Sequence, residues 1–208
     1  MTLLAIETAY DVCGAALVSA DGVVIGLEEQ VAHRRHNELL APAVERLLGT
    51  AGLQWSDLSG IALSAGPGSY SGLRIGLSYV KGAAYGMGLP VYPVPTLASL
   101  LLDSRLPPPH WVAAWSHREQ VYVQRREAEA EFGSIECLDW QSFAKRAAGE
   151  TIAGYLLERF LPAAGITYVQ TCPSAAKVGK FVLDRSLRPT SDLDNLVPDY
   201  HHELQTQG

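Results

Sequence analysis

The spacing of apolar residues changes along the first half of the chain, and each change predicts an element. "TLLAIET" (2–8), "VCGAALVSA" (12–20) and "VVIGLEEQV" (23–31) are apolar runs of strand length, which predicts three strands. Asp21-Gly22 lies between the second and third and is a hairpin-turn signal. From Asn37 to Ala51 the residues Leu40, Ala43, Val44, Leu47, Leu48 and Ala51 recur at helical spacing, predicting a helix with one apolar stripe. "GIALSAG" (60–66) reads as a short buried strand. A glycine-rich loop follows and starts a second helix running to Met87, "LPVYPV" (89–94) is a fifth strand, and Thr96 is expected to cap a further helix.

Pro107-Pro108-Pro109 marks a boundary. Beyond it come "WVAAWSH" and "QVYVQRRE", a strand near Ser134 to Leu138, a helix near Gln141 to Ala148, a strand at Thr151 to Gly154 and a helical run from Ala175 to Leu187. The first half has the strand and helix order of a ribonuclease H-like unit, and the second half is a shorter version of it. Two such halves predict an α/β chain with the actin- and sugar-kinase-like ATPase (ASKHA) fold, divided as 1–106 and 107–208.

Composition narrows the function classes. The chain has 208 residues, 48% of them hydrophobic and 18% charged, which fits a packed globular protein rather than a disordered one. Its formal charge of −6 excludes a protein that wraps nucleic acid by itself, because phosphate neutralisation needs a basic face. Cys13, Cys137 and Cys172 are odd in number and lack metal-knuckle spacing, so reduced thiols in a cytoplasmic protein are expected. "MTLLAIETAY" has no basic segment ahead of its apolar stretch and is not expected to be a signal peptide. Pro90, Pro93 and Pro95 break the long uncharged stretch from Gly82 to Leu102, so no membrane span is expected.

The loop "SAGPGSYSGLRIG" (64–76) invites a phosphate-binding reading, but its residues fall outside the known templates. Ser71 stands where a dinucleotide loop needs its third glycine, and Gly72 is followed by Leu73-Arg74 rather than Lys-Ser/Thr. An ATPase of this fold would also need a carboxylate in each of two phosphate hairpins. The corresponding segments are Glu7-Thr8-Ala9 and Ser116-His117-Arg118-Glu119, both without glycine. No bound nucleotide or other cofactor is expected, the weak candidates for one being Glu7, Gly66, Gly68 and Ser69. His33 and His36 flank Arg34-Arg35, whose charges disfavour a cation, so the reading is a solvated helix start rather than a metal site. His201-His202 lies in a polar tail and is expected at the surface. No catalytic residue is expected.

The second helix, "SGLRIGLSYVKGAAYGMG", is apolar or small nearly all round, with Arg74 and Lys81 its only charges. Such a helix must be covered on every side. One face is expected to pack on its own sheet and the other on a partner, with Gly72 and Gly76 admitting a partner helix and Leu73, Ile75 and Leu77 supplying apolar area to the two sides. Leu39 beside Leu40 would extend the same patch.

"LLAIETAYDVCGAAL", "RHNELLAPAVERLL" and above all "AGPGSYSGLRIGLSYVKGAAYGMGLPVYPVPTLASL" resemble the TsaB (YeaZ) family, with "VAAWSHREQVY" and "VPDY" carrying the resemblance into the second half. The family more often has aspartate where Glu7 or Ser116 stands. The resemblance implies a non-catalytic accessory subunit in tRNA threonylcarbamoyladenosine formation. Such a subunit pairs with TsaD, which transfers the threonylcarbamoyl group to the adenosine next to the anticodon. It also implies cooperation with TsaE, homodimers when the chain is alone, and tRNA contact only through the complex. Docking would use the first two helices: His36, Leu39, Leu40, Ala43 and Leu47 on one, and Tyr70, Gly72, Leu73, Arg74, Ile75, Gly76, Leu77, Ser78 and Val80 on the other. An independent ATPase or kinase of the same fold, and a metallopeptidase, are the alternatives.

Overall fold

The structure is a computed structural model, and it describes residues 2–102, 106–128, 131–161 and 165–201. Strands β1 (Thr2–Glu7), β2 (Val12–Ser19) and β3 (Val24–Val31) form an antiparallel meander. The turn after β2 closes at Gly22, which adopts a positive φ of 80° that glycine tolerates without strain. Strands β4 (Gly60–Gly66) and β5 (Val91–Pro95) extend the sheet parallel to β1, giving the order β3-β2-β1-β4-β5. Helix α1 (His36–Ala51) connects β3 to β4, and α2 (Tyr70–Met87) connects β4 to β5. Both pack on one face of the sheet, around Leu4, Ile6, Leu40, Val44, Leu47, Leu77 and Val80. Thr96 does not cap the next helix, α3 (Thr96–Leu100). Pro95 occupies the cap position, and the Thr96 hydroxyl instead accepts a hydrogen bond from the Gly66 amide at 3.1 Å.

The second half repeats this order. Strands β6 (His110–His117) and β7 (Gln120–Ala128) pair antiparallel, β8 (Glu131–Phe132) and β9 (Glu136–Asp139) pair on the far side of β7, and β10 (Thr151–Tyr155) and β11 (Thr167–Gln170) run parallel to β6. The path β9-β7-β6-β10-β11 matches β3-β2-β1-β4-β5 strand for strand. Helix α4 (Trp140–Arg146) stands where α1 stands in the first half. Only a 3-10 turn at Glu158–Phe160 is found among the described residues where α2 would be.

Helix α5 (Ala175–Asp184) comes from the second half but packs on the first sheet, against β1, β2 and β4. Phe181, Val178 and Val182 meet Leu3, Ala5, Ala16 and Val18 there. With α3, which is buried along its whole length, α5 fills the space behind the first sheet, so the halves share one interior. Among the described residues no helix is long and apolar enough to cross a membrane.

Candidate functional site

Every glycine of the loop faces the chain's own backbone or side chains. A Cβ on Gly68 would collide with the Ala9 carbonyl oxygen, one on Gly72 with the Thr8 carbonyl oxygen, one on Gly76 with the Thr8 hydroxyl, and one on Gly66 with the Asp199 carbonyl oxygen. Gly66 also has a φ of 126°, a region that side-chain-bearing residues rarely enter. The sequence from Gly66 to Gly76 is therefore glycine-rich because the β1–β2 turn and the C-terminal segment press against it. Ser69 caps α2 by accepting from the Gly72 amide at 3.3 Å.

The inward side of this loop is filled by the chain itself. The atoms lying against Gly66 and Gly68 are carbonyl oxygens, which repel an anion, and the Ser69 amide already donates to the Ala9 carbonyl at 2.6 Å. Glu7 is fully buried. Its Oε1 accepts from the Ala9 amide at 2.6 Å and from the Ser64 hydroxyl at 2.9 Å, while Oε2 has no hydrogen-bond partner among the described residues. Burial pushes the Glu7 carboxyl up to about 7, and the nearby Glu29 charge adds to the shift, against the pull of the Ala9 and Ser64 donors. Burial, with the Glu7 charge beside it, likewise raises the Cys13 thiol to about 11. Both groups lie in the interior of the fold.

His36 is not part of a solvated helix start. It is only 4% exposed, whereas His33 is exposed in a positive-φ conformation, so the two do not share a face. Among the described residues no three His, Cys, Asp or Glu side chains come close enough to hold a metal ion. His201 is half-buried and lies 2.6 Å from Asp199, and His202 falls outside the described residues.

The residues expected on the docking helices divide sharply by burial. His36, Leu40, Ala43, Leu47, Gly72, Leu73, Gly76, Leu77 and Val80 are interior to this chain. Gly72 and Gly76 do not admit a partner helix, because Thr8 already fills the space beside them. Tyr70, Arg74 and Ser78 are exposed, and Leu39 and Ile75 are half-buried. Beside them, Ser71, Gly82 and Gly86 are exposed, and a Cβ on Gly82 or Gly86 would meet no atom of the chain. The outward face of α2 is thus a ridge of small residues, Ser71, Ser78, Gly82 and Gly86, flanked by Ile75.

One flank of that ridge is covered by a segment that periodicity alone does not reveal. Leu193 and Leu196 pack on the core beneath α2. Lys81 Nζ donates to the Asp194 carbonyl at 2.9 Å, and Tyr85 hydrogen-bonds the Asp194 carboxylate. Arg74 Nε donates to the Tyr200 hydroxyl at 2.8 Å, the Arg74 guanidinium carbon lies 4.0 Å from the Tyr70 ring centre, and Tyr70 and Tyr200 stack at 5.1 Å. The signal in the sequence is the series Leu193, Leu196, Pro198 and Tyr200, the last three alternating with exposed Val197 and Asp199, which is too short to predict an element.

A family model described as TsaD, tRNA N6-adenosine threonylcarbamoyltransferase, matches residues 23–139, more than half of the 208-residue chain. The tRNA threonylcarbamoyladenosine biosynthesis protein TsaB of Escherichia coli is 37% identical over 100 residues, 48% of this chain and 42% of that protein. The structure matches that of YeaZ from Pseudomonas aeruginosa with a TM-score of 0.75 and 25% identity, covering 96% of this chain and 99% of the other. The chain belongs to the TsaB (YeaZ) family. A tRNA N6-adenosine threonylcarbamoyltransferase from Paracoccus denitrificans is 33% identical over 217 aligned positions, 93% of this chain and 58% of that enzyme. The chain spans about half the length of these curated relatives. An activator of 2-hydroxyisocaproyl-CoA dehydratase from Clostridium difficile matches with a TM-score of 0.57 at 7% identity, which shows the shared ASKHA fold.

Proposed function

We propose that this TsaB-family chain is the non-catalytic partner subunit of a TsaD-type threonylcarbamoyltransferase in tRNA threonylcarbamoyladenosine formation. The observation that carries the reading is the open ridge on α2, set against a Glu7 carboxyl buried inside the fold. Catalysis in an ASKHA fold needs two hairpins whose backbone can approach phosphate and a carboxylate free to meet a metal. Here Glu7-Thr8-Ala9 and Ser116-His117-Arg118-Glu119 contain no glycine, and Glu7 is buried on Ser64 and Ala9. The ridge of Ser71, Ser78, Gly82 and Gly86 instead lets another backbone approach closely, with Leu39, Tyr70, Arg74 and Ile75 around it. The docking unit is then the first half, 1–106, and the shortened 107–208 supports it. TsaE joins this complex, two copies of the chain pair through the same ridge when TsaD is absent, and the acidic chain meets tRNA only through TsaD.

The testing experiment is co-expression with the TsaD of the same organism, followed by size-exclusion chromatography with light scattering. A stable heterodimer is expected, with no ATP turnover by the isolated chain. Turnover that survives purification and is lost in Glu7→Ala would favour an independent ATPase instead.

A further inference from the structure

The C-terminal segment links two places that the fold otherwise keeps apart. Its first anchor lies near the C-terminal end of α2, where Lys81 and Tyr85 hold Asp194 and where Asp192 turns the chain by accepting from the Asn195 amide at 3.1 Å. From there it runs antiparallel to α2, with Leu193 and Leu196 half-buried and Val197 70% exposed. Its second anchor lies where the two halves pack on each other, in the cluster that holds Ala9, Leu73, Val112 and Tyr122. The Asp199 amide donates to the Ala65 carbonyl at 2.8 Å at the end of β4, and the Asp199 carbonyl sits over Gly66. Tyr200 then joins the halves: its ring stacks on Tyr70 of α2, and its carbonyl accepts from the Tyr122 hydroxyl of β7 at 3.1 Å.

We infer that residues 193–200 form a single strap that ties the two halves together at Tyr200 and is fastened along the flank of the α2 ridge, so that loosening one anchor loosens the other. Three observations carry this. Beyond the turns over Asp192–Leu196, where the Leu196 amide donates to the Leu193 carbonyl at 3.3 Å, the segment forms no helix or strand, so its position depends on the two anchors. Gly66 is shaped to receive it, since any side chain there would displace Asp199. The same short stretch touches α2, β4 and β7, and elements that break few contacts on opening occupy the low-stability end of a fold. The strap stands on the isolated chain alone. Its consequence for assembly rests on the docking reading: a partner that takes Arg74 competes with the Tyr200 hydroxyl and loosens the strap where it joins the halves.

NMR-detected hydrogen exchange on the full chain tests the coupling by changing one anchor and reading the other. In the double variant Lys81→Ala, Tyr85→Phe, whose sites lie on the surface, the Asp199 amide should exchange about tenfold faster. In Tyr200→Ala, the Asn195 amide should accelerate by a similar factor. The Ala5 amide in β1 should keep its wild-type rate in both. Acceleration confined to the altered anchor in the double variant would overturn the strap as one unit. Equal acceleration of Ala5 would overturn it too, because the segment would then be part of the global core. Complex formation with TsaD is a separate measurement, so failure of the docking reading leaves this result interpretable, and the reverse also holds.

Discussion

The two halves share one strand order yet differ in what lies between their fourth and fifth strands. In the first, β4 leads through the glycine loop into the 18-residue helix α2, while in the second, β10 leads to a 3-10 turn at Glu158–Phe160. The first half therefore presents a long helix with an outward ridge. The second buries its apolar surface inward, with Trp111, Trp140 and Phe160 around Phe143. The same topology thus carries a long exposed helix in one half and a packed aromatic cluster in the other.

The largest expected effect separates these roles. Phe143 is fully buried, and Phe143→Ala should cost about 3–5 kcal/mol in denaturant unfolding. The fraction that remains folded should pair with TsaD as the wild type does. Weakened pairing by fully folded Phe143→Ala protein would mean that the second half belongs to the docking surface.

Glu7 gives the next effect, and its sign depends on pH. Its folded value of about 7 lies above the ordinary 4.5, so its stabilising effect is fully present below pH 4.5 and is lost as pH rises through 7. Glu7→Gln removes that dependence. Above pH 8 the variant should be more stable than wild type by about 3 kcal/mol, and near pH 4 the two should be alike. Chemical denaturation at both pH values checks this, and a variant less stable than wild type at pH 8 would show that the ionised carboxylate is needed there.

Much of the first sheet is legible in the chain because each strand is a short apolar run and Asp21-Gly22 sets the turn. Helices α1 and α2 are legible from their apolar spacing. Which layer covers a helix is not legible: Leu40, Ala43, Leu47, Leu73 and Leu77 read equally well as an interface stripe or a core stripe, and the structure places them in the core. Gly72 and Gly76 were misread for the same reason, since close approach was evident but not that Thr8 makes it. Strands β8 and β11 escaped because they are short and half-exposed. Helix α5 is visible as a helix, but its place on the first sheet depends on contacts with residues far away in the chain. The burial of Glu7 and the course of 193–200 are likewise set by distant partners.

The smallest stability effect concerns the ridge. Gly82 sits in a helix with open space at its Cβ, so Gly82→Ala should stabilise the isolated chain by about 0.5–1 kcal/mol in thermal unfolding. The same methyl group stands where a partner backbone would approach, and binding to TsaD should weaken. Tighter binding would place the contact elsewhere on α2.

The docking claim is tested most directly at Ser78, an exposed residue in the middle of the ridge. A specific interface buries roughly 800 Å² per partner, and a charge forced into its centre costs about 2–5 kcal/mol. Calorimetric titration of TsaD into wild-type and Ser78→Arg protein, both shown to be folded by circular dichroism, should give a one-to-one complex for the first. For the second, binding should be weaker by at least about thirtyfold. Equal affinity of the two folded proteins for TsaD would contradict the account.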